Sequence, residues 1–119
     1  MENKENVILQ KTFDFALDII DFCEKLEEQK KYVISNQLLK SGTSIGANVR
    51  EAQSAESKVD FIHKMKVSEK ELEETEYWLL LCKHSKKYPF DDNLEIKLNE
   101  IKKILAKIIV TSKTNLTRN

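Results

Sequence analysis

The stretch Gln37-Leu38-Leu39-Lys40-Ser41-Gly42-Thr43-Ser44-Ile45-Gly46-Ala47-Asn48-Val49-Arg50-Glu51-Ala52 admits two readings that lead to different folds. Its core, Ser41-Gly42-Thr43-Ser44-Ile45-Gly46, has the glycine and hydroxyl content of a loop whose backbone amides cradle a phosphate. Such a loop ends in Gly-Lys-Ser or Gly-Lys-Thr and follows an apolar strand, and the sequence provides neither. The other reading is one helix through both glycines. Ile34, Leu38, Ser41, Ile45, Asn48, Ala52 and Ala55 alternate at steps of four and three, and this unbroken register decides for the helix. A mid-helix glycine costs about 1 kcal/mol relative to alanine, so Gly42 and Gly46, one turn apart, need a compensating reason. Close approach of another helix over Leu39, Gly42, Gly46 and Val49 supplies it.

The same rhythm extends to both sides. Leu9, Phe13, Ala16, Ile20 and Cys23 recur on one face of a helix over about residues 6–30, and the glycine-bearing helix occupies about 32–55. Ser57 is the expected N-cap of a third helix, 58–87, with Phe61, Met65, Ser68, Leu72, Thr75, Leu79 and Cys82 in step. Tyr88-Pro89 ends it, because the residue before proline avoids helical geometry. Asp91 or Asp92 caps a fourth helix over 92–116, carried by Leu94, Leu98, Ile101, Leu105, Ile108 and Ser112. Helices of similar length joined by short connections pack best as antiparallel neighbours. The expected fold is all-α, an up-down-up-down four-helix bundle, with residues 1–119 as a single domain.

Composition agrees. Two Gly and one Pro in 119 residues, with 34% charged and 40% hydrophobic residues, favour long helices over strands. Twenty basic residues offset 20 acidic ones, so no global field draws the chain to nucleic acid or an anionic membrane. The start, Met1-Glu2-Asn3-Lys4-Glu5-Asn6, does not read as a signal peptide, and no apolar run approaches membrane-spanning length. Cys23 and Cys82 occupy apolar helical positions without metal-ligand spacing, as expected of reduced buried thiols in a cytoplasmic protein.

There is more apolar surface than one core uses. Phe15, Ile19, Phe22 and Leu26 form a second stripe beside the first on helix 1, an arc of roughly 220° against the ~100° that a bundle helix needs. Tyr77-Trp78-Leu79-Leu80-Leu81-Cys82 is apolar on every side. Self-association accounts for both, and Phe15, Ile19, Phe22, Leu26, Tyr77, Trp78 and Leu81 are the expected oligomer interface.

Chemistry is harder to find. Di-metal bundles use Glu-x-x-His on two helices, but Asp60 precedes His63 by three and Leu81 precedes His84. Ser41, Ser44 and Ser68 have no histidine at helical spacing. No catalytic, cofactor-binding or metal residue is therefore expected. Ser44, Asn48, Glu51, Glu71 and Glu74 fall beside the core stripes and are expected to form a buried polar network that fixes helix register. Helix 1 is acidic (Asp14, Asp18, Asp21, Glu24, Glu27, Glu28), whereas helix 4 and its tail are basic (Lys97, Lys102, Lys103, Lys107, Lys113, Arg118). Pairing between these helices is the simpler expectation. The functional one is an RNA patch of Lys102, Lys103, Lys107, Lys113 and Arg118.

The block from Ile34 to Trp78, above all Gln37 to Asn48 with Glu51-Ala52, Asp60-Phe61, Lys70-Glu71, Glu74-Thr75 and Tyr77-Trp78-Leu79, resembles the bacterial 23S rRNA intervening-sequence proteins, also called S23 ribosomal proteins. The resemblance implies a left-handed up-down bundle assembling as a homopentamer. It also implies kinship with the accessory proteins of diversity-generating retroelements, basic barrels that bind a reverse transcriptase and nucleic acid; the neutral charge here departs from them. The family brings no enzymatic activity to carry over. The expected function is that of a non-enzymatic oligomeric scaffold or interaction protein, with weak RNA or ribonucleoprotein binding through helix 4 as the alternative.

Overall fold

The computed structural model of the chain describes residues 4–117. Four helices, α1 (Lys4–Glu28), α2 (Tyr32–Ala52), α3 (Lys58–His84) and α4 (Asp92–Thr117), follow one another without any strand among the described residues. Each packs against two others, α1 and α3 both against α2 and α4, while the diagonal pairs do not touch. The result is an antiparallel up-down bundle, 52 Å long and 22–23 Å across.

The helix ends have local causes. Three helices stop short of their expected ends, because backbone capping closes them before the apolar pattern runs out. Lys30 adopts a left-handed conformation (φ 63°), and two bonds of a Schellman motif close α1: Lys30 N–H to Glu27 O at 2.8 Å and Lys31 N–H to Leu26 O at 2.8 Å. Helix α2 ends at Ala52, where Gln53 and Ser54 turn back to Arg50 and Glu51 carbonyls. Ser57 caps α3, its hydroxyl accepting from Asp60 N–H at 3.0 Å. That helix ends at His84, with Ser85 extended ahead of Tyr88-Pro89. Asp91 precedes α4 and accepts from Asn93 N–H at 2.9 Å.

The core runs the length of the bundle: Ile8, Phe15, Ile19 and Leu26 of α1, Leu38, Ile45 and Val49 of α2, Met65, Leu72 and Leu79 of α3, and Leu98, Ile101 and Leu105 of α4. Helix 1 therefore faces inward with the opposite stripe from the expected one: Phe15, Ile19, Phe22 and Leu26 are buried, whereas Phe13 and Ile20 are exposed. Five hydroxyls lie inside, all satisfied. Ser68 donates to Ile45 O at 2.8 Å, Thr75 to Ser41 Oγ at 2.9 Å, Ser35 to Cys23 O at 3.1 Å and Thr12 to Ile8 O at 2.8 Å. Ser68 and Thr75 fix α3 against α2, since a shifted register would strand buried hydroxyls.

Candidate interaction surface

The two glycines set the α1–α2 contact. A Cβ on Gly42 would stand 2.9 Å from both Cγ1 and Cγ2 of Ile19, and one on Gly46 would stand 3.2 Å from Thr12 Cβ and 3.3 Å from the Thr12 carbonyl oxygen. The partner helix sits where side chains would otherwise be. Outside this seam Leu9, Thr12, Phe13 and Ala16 of α1 and Thr43, Gly46, Ala47 and Arg50 of α2 line a shallow apolar groove. Phe13 (56% exposed), Leu17 (48%) and Ile20 (40%) continue it along α1 at spacings of four and three, and Leu39 (37%) extends it on α2.

This arrangement corrects the expected interface. Phe15, Ile19, Phe22 and Leu26 lie in the subunit's own core and have no surface to offer a partner. Tyr77 and Leu81 are exposed on α3, whereas Trp78 is half-buried against the core and meets Tyr77 edge-on at 5.3 Å. The surface residues missed were Leu17, Leu39, Thr43, Ala47 and Arg50. Leu17, four residues beyond Phe13 and three before Ile20, was the available signal.

The polar network is likewise absent. Ser44 and Asn48 bond back along α2, to Lys40 O at 2.6 Å and Ser44 O at 2.8 Å. Glu51 is exposed and pairs with Lys64 at 3.5 Å. Glu74 is exposed and accepts from the Trp78 indole at 3.4 Å. Glu71 is half-buried, and burial, then the charge of Glu74, raises its carboxyl above the ordinary value. Carboxylates beside a core stripe reach water on their methylene stems, and the inside is left to the shorter hydroxyls.

Helices α1 and α4 do pair, in both senses: Lys97 with Asp18 and Lys11 of α1 with Glu100 of α4 at 3.0 Å. The bond to Asp18 holds the Lys97 ammonium above its ordinary pKa. Lys102, placed in the expected RNA patch, pairs with Glu76 of α3 at 3.3 Å. Lys103, Lys107 and Lys113 are exposed and form no ion pair among the described residues. Lys66 of α3 lies beside Lys113 and pushes its pKa down. Arg118 lies outside the described residues.

Both cysteines are buried and unbridged. Burial pushes each thiol up to about 11, and Cys23 also donates to Ser35 O at 3.4 Å. Among the described residues no three His, Cys, Asp or Glu side chains are gathered as a metal would require, and no helix is long and apolar enough to cross a membrane.

Residues 4–107 match the family model described as 23S rRNA-intervening sequence protein. A crystal structure of a protein of unknown function from the S23 ribosomal protein family of Bacteroides thetaiotaomicron VPI-5482 is similar at 43% identity, covering 90% of this chain and 98% of that one with a TM-score of 0.85. No curated protein matches the chain.

Proposed function

Because the chain belongs to the 23S rRNA-intervening sequence protein family, we propose that it works as a non-enzymatic, cytoplasmic interaction protein that self-associates through the outer face of α1 and α2. The observation that carries this reading is the row Phe13, Leu17 and Ile20, each at least 40% exposed beside an apolar groove. Such contiguous surface is rare on soluble monomers and common at interfaces. The bundle core does not need these side chains, so their apolar character is tied to a contact outside the subunit. Five subunits is the number implied by the resemblance. Light scattering after size exclusion at low micromolar concentration tests the reading: the wild-type chain is expected at a multiple of 13.9 kDa, and a monomer refutes it.

A second reading follows from Lys103, Lys107 and Lys113, which carry positive charge without an ion pair among the described residues. Nonspecific RNA affinity comes mainly from neutralised phosphates. With Lys97 and Lys102 already engaged by carboxylates, we expect weak binding, no tighter than about 10⁻⁵ M at physiological salt. Fluorescence anisotropy with an rRNA fragment at two salt concentrations checks this. Submicromolar binding that falls steeply with salt and vanishes in a Lys102→Glu, Lys103→Glu, Lys107→Glu variant would promote RNA binding to the main function.

A further inference from the structure

Charge separates the two sides of the bundle. Around the α1 apolar row stand Asp14, Asp21 and Glu24, three or four residues from Leu17 or Ile20, all exposed and none in an ion pair among the described residues. Helix α3 lies diagonally opposite, out of contact with α1, and its outer side joins that of α4. There Tyr77 (56% exposed), Leu80 (41%) and Leu81 (40%) make a second apolar group. Lys66, Lys70, Lys103 and Lys113 are exposed on the same two helices without an ion pair. Glu73 and Glu74 interrupt this basic row, and Glu74 is engaged by the Trp78 indole. The zero net charge thus conceals an acidic apolar face and a basic apolar face.

We infer that the occupant of the α1–α2 face is the outer α3–α4 face of a second copy of this chain, so that contact is head-to-tail rather than two-fold. The inference rests on the self-association reading above and adds to it the identity of the mating surface. A two-fold contact of α1 on α1 sets Asp14, Asp21 and Glu24 of one copy against the same residues of the other, and like charges repel. The head-to-tail arrangement brings those carboxylates to Lys70 and Lys103 and gives Tyr77 and Leu81 an apolar groove rimmed by Arg50. Because each copy presents both faces, the contact propagates until it closes into a ring.

Two full-length variants test this, each substituted only at exposed side chains: Phe13→Glu with Ile20→Glu on the first face, and Tyr77→Glu with Leu81→Glu on the second. After circular dichroism confirms helicity, each alone is expected to run as a monomer. An equimolar mixture is expected to form a 1:1 dimer of about twice the 13.9 kDa chain mass, because one intact copy of each face remains. If the wild-type chain associates but the Tyr77, Leu81 variant keeps the wild-type mass, or the mixture stays monomeric, the head-to-tail inference is overturned and self-association survives. A monomeric wild-type chain overturns both. Charge reversal is the independent check: Asp21→Lys with Glu24→Lys, or Lys70→Glu with Lys103→Glu, is expected to weaken association about tenfold. All four changes in one chain are expected to restore it, and failure of that rescue counts against the contact.

Discussion

Replacing Gly42 by alanine sets two known effects against each other. Alanine is favoured over glycine in a helix interior by about 1 kcal/mol, so at a slack site Gly42→Ala stabilises the protein. Here the new methyl would sit 2.9 Å from Ile19 Cγ1 and Cγ2 and 3.2 Å from Cδ1, against an optimum of about 3.5–4.0 Å for carbon pairs. The crowded atoms are not the free end of a flexible chain. Cγ1 and Cγ2 branch directly from Cβ, χ1 of a helical β-branched residue is stiff, and Ile19 is fully buried. Relief must come from separating α1 and α2 or forcing Ile19 off its rotamer, at about 1–3 kcal/mol. The net expectation is destabilisation of about 1 kcal/mol, the difference between these two magnitudes.

The informative experiment places the same change in an Ile19→Ala background, where both Cγ atoms are gone. Ile19→Ala alone costs about 2–5 kcal/mol, but adding Gly42→Ala to it should now stabilise by about 1 kcal/mol or more, as propensity and cavity filling act together. The sign of one substitution thus depends on its neighbour, with a coupling of about 2 kcal/mol. Urea unfolding of all four proteins, followed by circular dichroism at one protein concentration, gives the cycle. If Gly42→Ala raises the unfolding midpoint in the wild-type background, the close-contact reasoning is wrong.

Three further outcomes are expected. Gly46→Leu should overpack the seam at Thr12, where even Cβ would meet the backbone oxygen at 3.3 Å, and lower stability by about 1–3 kcal/mol while disturbing association; an unchanged melting temperature and mass would refute it. Lys30→Gly should raise stability by about 0.5–1 kcal/mol, because glycine takes the left-handed φ of 63° without a Cβ penalty, and a lower urea midpoint would count against that. Cys23 and Cys82, with folded pKa values of about 11 against about 8.5 unfolded, should resist iodoacetamide at pH 8 until the chain unfolds. The stability these thiols contribute is intact below about pH 8.5 and is lost as pH rises through 11, because the unfolded state ionises first; a midpoint that rises over that window would contradict the assignment.

The four helices were legible because a long apolar rhythm of threes and fours has no competing strand reading in so glycine-poor a chain. Their ends were less so, since backbone capping at Lys30 and Gln53 leaves little trace in the residue types. The orientation of α1 was misread for a physical reason. Leu9, Phe13, Ala16 and Ile20 and Phe15, Ile19, Phe22 and Leu26 are adjacent stripes of comparable hydrophobicity, and periodicity fixes the period but not the phase. The phase is set from outside, by α2: Gly42 admits Ile19 and Gly46 admits Thr12, and this turns Phe13 and Ile20 outward. The candidate surface was therefore foreseen in its existence but assigned to the wrong stripe. Glu51, Glu71 and Glu74 were misplaced because position on a wheel describes where a side chain starts, not where a long one ends.

The seam between α1 and α4 has a kinetic consequence. Contacts of α1 with α2, α2 with α3 and α3 with α4 join helices that follow each other in the chain and close short loops, which makes them quick to form. Only the α1–α4 seam joins segments from opposite ends of the chain, through Lys11 with Glu100 and Asp18 with Lys97, 89 and 79 residues apart. Its loop-closure entropy is the largest in the fold, so this seam should form late. Substitutions along it should then speed unfolding more than they slow folding, whereas substitutions at the glycine seam should act on the folding rate.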